Sequence, residues 1–258
     1  MLFMQNRTLL LLTLCFFLSG MVLAQKTPPP FKKFQHITNG DTLPYGVLSP
    51  NKVDAGKKYP LVIFLHGAGE RGRDNHKHLK FIQILFTQNA LNKYPCFVVA
   101  PQCPEGEVWS TLMLGKPFNP TPTRPMELFL QVYDQLLKEY PIDPSRIYVT
   151  GLSMGGFGTW DLIARYPNRF AAAVPICGGG DVKTVPLIKH IPIWAFHGAL
   201  DPTVPPRLSR KMITALQEAG SSPGYTEYPG IKHSSWHQAY KEPRLMKWMF
   251  DQSLTNKK

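Results

Sequence analysis

A serine between two glycines is the residue of this sequence best placed to act as a nucleophile. Ser153 is the centre of a G-x-S-x-G pattern that runs from Gly151 to Gly155 and separates an apolar run from a helical pattern. A strand, a tight turn and a helix in this order form a nucleophile elbow, in which the serine hydroxyl is exposed at the edge of a sheet. We therefore predict that Ser153 is a catalytic nucleophile.

A serine hydroxyl needs a nearby base, and the base needs a group that holds it in the right tautomer. His233 lies on the loop before the last helical pattern and is the predicted base, with His237, a few residues later, as the alternative. Asp201 lies in the loop after a buried apolar run and is the predicted acid; Asp181, which also follows such a run, is the alternative. The chain order Ser, Asp, His is the one that suits a nucleophile elbow.

An acyl-transfer site also needs donors for the negative charge that develops on a carbonyl oxygen. The small residues Gly67, Ala68 and Gly69 follow an early apolar run and allow backbone N–H groups to face such an oxygen. We predict that the amides of Ala68 and Met154 form this oxyanion hole, with Gly67 less favoured than Ala68. The alternative is a simple glycine turn between a strand and a helix.

The elements that must position these residues are short buried strands alternating with longer helical segments from residue 59 onward. This alternation predicts a doubly wound, mostly parallel sheet flanked by helices, with ligands bound beyond the carboxyl ends of the strands. An antiparallel hairpin is predicted earlier, between Phe34 and Ser49, with its turn at Asn39 to Asp41. The predicted strands are 61–65, 97–100, 147–150, 171–176, 193–196 and 225–228, and the predicted helices are 125–140, 155–166, 206–219 and 235–253.

The N-terminus has the order of a cleavable secretory signal: one basic residue, Arg7, an apolar stretch of about ten residues, and a small-residue site that ends at Ala24. We therefore predict a signal peptide over residues 1–24, a catalytic domain over residues 25–258, and a secreted or periplasmic location. The apolar stretch is shorter than the roughly 20 residues that a membrane span needs, so no stable membrane insertion is expected after cleavage. Residues 25–34, which include three consecutive prolines, are predicted to form an extended tether.

The formal net charge of +12 becomes +11 when Arg7 is removed with the signal. The basic residues are scattered in ones and twos, so the pattern predicts no nucleic-acid partner. Of the three cysteines beyond the signal, Cys96 and Cys103 could form a disulfide or remain small buried side chains, and Cys177 completes the odd number. Their spacing does not resemble a zinc site, and no metal or cofactor is expected.

Several segments together resemble the secreted single-domain esterases of the α/β-hydrolase superfamily, a group that includes prolyl-oligopeptidase-like hydrolases. The resemblance extends from about residue 40 to the C-terminus, and its relatives include feruloyl and acetyl-xylan esterases and polyhydroxybutyrate depolymerases. It implies the α/β-hydrolase fold, a cofactor-free Ser153–Asp201–His233 triad, and a substrate pocket lined by Trp109. Ser234 departs from the group, in which an Asp commonly follows the histidine. The resembling segments are Leu65–Gly72, Ala100–Pro104, the serine elbow, Phe196–Asp201 and His233–Trp236.

The hypothesis that follows is a serine hydrolase that cleaves small-molecule or polysaccharide-linked carboxylic esters through an acyl-enzyme. A peptidase or an acyltransferase with the same triad is the enzymatic alternative, and a catalytically silent glycan-binding protein is the alternative from another class. The irregular stretches 70–91 and 108–123 should shape the pocket. Their basic residues Arg71, Arg73 and Lys116 could favour an acidic group, although they could equally be solvated loop charges.

Overall fold

The computed structural model describes residues 30–256, in which eight strands form one sheet with helices on both of its faces. The predicted signal peptide, residues 1–24, lies outside this range. The strands are β1 (Lys32–Thr38), β2 (Asp41–Leu48), β3 (Tyr59–Leu65), β4 (Phe97–Pro101), β5 (Ile142–Leu152), β6 (Ala172–Ile176), β7 (Trp194–Gly198) and β8 (Gly224–Tyr228). The helices are α1 (Ile82–Leu85), α2 (Gln88–Lys93), α3 (Arg124–Glu139), α4 (Met154–Arg165), α5 (Val185–Ile188), α6 (Arg207–Glu218), α7 (Trp236–Ala239) and α8 (Leu245–Phe250).

The strand order in the sheet is β1-β2-β4-β3-β5-β6-β7-β8. Strands β3 to β8 run parallel, whereas β1 and β2 are antiparallel additions at one edge. The predicted doubly wound, mostly parallel sheet is therefore confirmed, and it is the sheet of an α/β-hydrolase fold. Because parallel strands end at the same edge, the loops after β3, β5, β7 and β8 meet there, and these loops carry the predicted site residues.

The N-terminal hairpin is confirmed, since β1 pairs with β2 and Thr38 lies opposite Asp41. The turn residues Asn39 and Gly40 have φ angles of 50° and 80°. Two consecutive residues with positive φ are the geometry of the tight turns that match the twist of a hairpin. The predicted tether, residues 25–34, was wrong at its end, because β1 already begins at Lys32, and its residues 25–29 lie outside the described range.

Apolar side chains fill the space on both faces of the sheet. One face packs against α3, α4 and α6 through large residues such as Phe129, Trp160 and Met212. The other face packs against α1, α7 and α8 and includes Phe86. Within residues 30–256, no helix is both apolar enough and long enough to cross a bilayer.

The possible disulfide between Cys96 and Cys103 does not form. Both side chains are buried free thiols, and they lie in the clusters on opposite faces of the sheet. Cys177 is also a buried free thiol. All three therefore act as small core side chains.

The single C-terminal helix predicted over residues 235–253 was wrong, because the chain forms two short helices, α7 and α8. Pro243 lies between them. Proline has no N–H to donate, and its ring clashes with the carbonyl of the preceding turn, so a helix cannot continue through it. The other predicted helices and strands are present with ends shifted by a few residues, and the short helices α1, α2 and α5 were not predicted.

Candidate active site

Ser153 lies in a strained turn between β5 and α4. Its φ and ψ angles are 52° and −116°, a conformation that few residues other than glycine adopt. A hydrogen bond from its N–H to the carbonyl of Ile176 on the neighbouring strand holds the turn in place, at 2.9 Å. The side chain, 8% exposed, stands at the N-terminus of a twelve-residue helix. The positive end of the helix dipole there favours negative charge.

The glycines of this turn are required by the packing of backbone against backbone. A Cβ atom on Gly155 would lie 1.8 Å from the carbonyl oxygen of Leu65, and a Cβ on Gly151 would lie 2.3 Å from the carbonyl oxygen of Gly155. The first oxygen belongs to β3 and the second to α4, so neither can move without disturbing one of these elements. The G-x-S-x-G pattern therefore serves the close approach of β3, β5 and α4 as well as the serine.

We expect Gly155→Ala to destabilise the folded protein by about 3 kcal/mol or more, because the new methyl group overlaps backbone atoms. Gly69→Ala is the matched control, since a Cβ there meets no atom within 4 Å, and its effect should stay within about 0.5 kcal/mol. Urea unfolding of both variants measures the difference. Equal stabilities would contradict the packing argument.

The structure brings Ser153, His233 and Asp201 together although they are far apart in the sequence. The Oγ atom of Ser153 lies 2.9 Å from Nε2 of His233, and Nδ1 of His233 lies 2.7 Å from Oδ2 of Asp201. When His233 is neutral, its Nδ1–H donates to the carboxylate and its Nε2 accepts the serine proton. The imidazole is thus oriented so that it can take a proton from the serine hydroxyl.

Asp201 is held by its own loop and by a second buried histidine. Its Oδ1 accepts the N–H groups of Thr203 and Val204, each at 2.9 Å. The Nε2 atom of His197, on β7, lies 2.9 Å from the carbonyl oxygen of Val204 and 3.2 Å from Oδ2 of Asp201. The other ring nitrogen of His197 lies 2.7 Å from the hydroxyl of Ser209, at the start of α6. His197 therefore ties the Asp201 loop to the sheet and to α6, a contact that the sequence analysis missed.

Burial lowers the pKa of His197, so the ring is neutral near pH 7. Its Nε2 must carry the proton, because both atoms facing it, a backbone carbonyl and a carboxylate, are acceptors. In the sequence, the pair His197-Gly198 before the Asp201 loop marks this histidine, but its hydrogen bonds could not be predicted.

The two alternative residues lie elsewhere and contact neither Ser153 nor His233. The carboxylate of Asp181 accepts the N–H groups of Lys183, at 3.0 Å, and Phe118, at 3.1 Å. His237 is an exposed residue of α7 whose ring packs edge-on against Phe81. Neither alternative is part of the hydrogen-bonded chain.

The loop after β3 is arranged by His66, which is completely buried. Its Nε2 accepts the N–H of Cys103 at 2.9 Å, so its Nδ1 carries the proton and donates to the carbonyl of Gly67 at 2.6 Å. Burial lowers the pKa of His66 to about 4, which keeps the ring neutral. In a trans peptide the C=O and the N–H point in opposite directions. The N–H of Ala68 therefore points away from the His66 ring.

A cavity of about 430 Å³ opens above Ser153. Ala68 and its flanking glycines form one wall and His233 another. The remaining walls are mostly apolar and come from five parts of the chain: Phe81, Met113, Phe157, the segment with Val204, Pro205 and Leu208, and Trp236. Phe81 and Met113 lie in the stretches 70–91 and 108–123, which were predicted to shape the pocket. Met154, the other predicted oxyanion donor, follows Ser153 as the first residue of α4 and has a buried side chain. Glu70 also lines the cavity, and burial raises its pKa.

The structure does not bring Trp109 to this cavity. Its side chain is completely buried, and its indole N–H donates to the carbonyl of His66 at 3.1 Å. The indole also packs edge-on against the His66 ring. Trp109 therefore supports the loop that carries Ala68 from below, and Trp236 is the tryptophan on the cavity wall.

Comparisons with known proteins agree with the fold and find similarity to proteins that are named as esterases. A crystal structure of a thermostable esterase superposes with a TM-score of 0.82 at 44% identity, over 86% of this chain and 63% of that one. Poly(3-hydroxyalkanoate) depolymerase C of Paucimonas lemoignei is 53% identical over 49 residues, which are 19% of this chain. A bifunctional acetylxylan esterase/xylanase of Neocallimastix patriciarum is 34% identical over 79 residues, or 31% of this chain. The chain spans 12% of the length of each of these two relatives.

The fold and these similarities define the class of the chain as a protein of the α/β-hydrolase fold. More particularly, residues 123–242 match the phospholipase/carboxylesterase family. The matched region contains the serine elbow, the Asp201 loop and His233.

Proposed function

We propose that this protein hydrolyses carboxylic esters through an acyl-enzyme, with Ser153 as nucleophile, His233 as general base and Asp201 as the acid that orients His233. The continuous contact from Asp201 through His233 to Ser153 is the observation that carries this proposal. The amides of Ala68 and Met154 are the proposed oxyanion donors. The direction of the Ala68 N–H and the position of Met154 at the start of α4 support them.

In the proposed reaction, the Ser153 Oγ attacks the ester carbonyl carbon while its proton passes to Nε2 of His233. The carbonyl oxygen becomes anionic and accepts hydrogen bonds from the two backbone amides. The C–O bond to the alcohol then breaks, and His233 returns the proton to the leaving oxygen. Water repeats the sequence, which frees the acid and regenerates the serine.

The proposed substrates are esters of small molecules or acyl groups carried by polysaccharides, met outside the cytoplasm after export by the signal at residues 1–24. The similarity to an acetylxylan esterase/xylanase supports the polysaccharide part. The mostly apolar cavity above Ser153 supports an apolar segment of substrate directly beside the reacting carbonyl.

Labelling with a fluorophosphonate probe, followed by a panel of acetyl, butyryl and feruloyl esters beside short peptides, tests the proposal. We expect covalent labelling and turnover of at least one ester, with peptides poorer by orders of magnitude because esters are the easier acyl donors. An unlabelled and inactive protein would favour a silent binding protein. Preferential cleavage of peptides would favour a peptidase.

His197 should matter for this reaction through Asp201 and not through the substrate. His197→Phe leaves the carbonyl of Val204 without its donor, and we expect kcat/KM for p-nitrophenyl acetate to fall by about 10- to 100-fold, mostly in kcat. His197→Gln is the matched variant, because its amide nitrogen reaches the position of Nε2 and should recover most of the loss. If both variants are equally impaired at unchanged thermal stability, activity does not depend on a hydrogen-bond donor from position 197 to the Asp201 loop.

A further inference from the structure

A second cavity, of about 420 Å³, adjoins the one above Ser153. Met113, Phe157 and Leu208 line both cavities, so the two spaces meet along these three apolar side chains. Neither the triad nor the oxyanion loop uses this second space.

The second cavity is positively charged. Three exposed lysines, Lys116, Lys183 and Lys211, line it, and Asp181 is the one acidic residue among its lining. Within residues 30–256, no carboxylate lies within 4.0 Å of the ammonium group of any of these lysines. The Asp181 carboxylate is already occupied by the backbone N–H groups of Lys183 and Phe118.

The wall that carries Lys116 is fixed before any ligand binds. Arg165 on α4 is nearly buried and pairs with the buried carboxylate of Asp161 at 2.9 Å. The same guanidinium donates to the carbonyls of Asn119 and Pro120, which holds the segment after Lys116 against α4. This side of the cavity is therefore held by the protein itself, which lowers the cost of binding.

Three like charges around one cavity repel each other, and an anion placed among them relieves that repulsion. The three side chains shared with the catalytic cavity are apolar, so the favoured ligand has an apolar body near Ser153 and an anionic group in the second cavity. We propose that the second cavity is an anion subsite, an inference that rests on the proposed esterase function. The preferred ester substrates then carry a carboxylate on the acyl or the alcohol part.

Two matched pairs of esters test the subsite and distinguish a carboxylate on the acyl part from one on the alcohol part. The p-nitrophenyl monoester of succinic acid against p-nitrophenyl butyrate places the carboxylate on the acyl part, and acetylated glucuronic acid against acetylated glucose places it on the alcohol part. We expect the acidic member of at least one pair to have a kcat/KM about 5- to 10-fold higher at low ionic strength, and 0.5 M NaCl to abolish most of the preference. The salt series uses the unaltered protein and needs no variant.

The triple variant K116Q/K183Q/K211Q should lose the preference while it hydrolyses p-nitrophenyl acetate normally. K58Q/K138Q/K241Q is the matched control, because it removes the same charge from exposed lysines outside both cavities and should keep the preference. A preference that is absent in both pairs, that survives the first triple variant, or that is lost equally in both variants would overturn the subsite. A protein that hydrolyses none of the neutral esters would instead overturn the proposed function.

Discussion

Ser153→Ala is expected to lower kcat for p-nitrophenyl acetate by about 10⁴- to 10⁶-fold and to abolish fluorophosphonate labelling. Alanine keeps the backbone turn, but it removes the only atom that can form the acyl-enzyme at this position. The Oγ atom makes its one side-chain hydrogen bond, at 2.9 Å, to Nε2 of His233. The variant should therefore fold as the parent does and lose only the chemistry.

Ser234→Ala is the matched control, because Ser234 is an exposed serine directly after His233. It should retain activity within about twofold, since exposed substitutions rarely perturb a site. Circular dichroism and thermal unfolding of both variants separate a loss of chemistry from a loss of fold. Substantial turnover by a clean preparation of Ser153→Ala would show that another residue is the nucleophile.

Asp201→Asn is expected to lower kcat by about 10⁴-fold at pH 7 with little change in stability. The carboxylate Oδ1 accepts two backbone N–H groups, so the amide oxygen of asparagine should occupy that position. Its NH₂ group then faces Nδ1 of His233, a position that Oδ2 occupies in the parent protein. To avoid two opposed donors, the imidazole must carry its proton on Nε2, where it cannot accept the proton of Ser153.

Asp181→Asn distinguishes the two candidate acids. Asp181 caps a short turn through the N–H of Lys183, and asparagine caps nearly as well, so activity and stability should barely change. Kinetics of both variants on one ester give the comparison. A large loss of kcat in Asp181→Asn with an active Asp201→Asn would reassign the acid.

Much of the candidate site could be predicted because its members lie in short patterns whose local conformation is nearly forced. The turn around Ser153 needs glycine at Gly151 and Gly155, because a Cβ atom there would lie within 2.3 Å of a backbone oxygen. The G-x-S-x-G pattern therefore predicts the turn by itself. Asp201 follows the buried strand β7, and His233 follows the half-buried edge strand β8. Parallel strands end at one edge, so these residues could be expected to converge there. Pro243 equally indicates the break between α7 and α8, although a single helix was predicted there.

The stretches 70–91 and 108–123 were predicted to shape the pocket, but the individual wall residues could not be predicted, because the paths of these segments depend on packing. Phe81 precedes α1, Met113 lies in a short 3₁₀ helix, and Leu208 lies in α6. The local sequence around these residues does not predict that their side chains line the cavity at Ser153. Trp109 is a second residue whose position is decided by packing and not by the local sequence. The family resemblance implied a pocket residue at Trp109, but its indole N–H donates to the carbonyl of His66 in the core.

The sequence by itself determined the sheet with its flanking helices, the strained serine turn, and which serine, aspartate and histidine stand at the strand ends. Periodicity, glycine and chain order are local properties, and they are sufficient for those features. Only the tertiary structure decided that His197 braces the Asp201 loop, that His66 orients the Gly67 carbonyl, and that three lysines surround a second cavity. These contacts join residues through side-chain packing across loops, and packing is settled only when the whole core has formed.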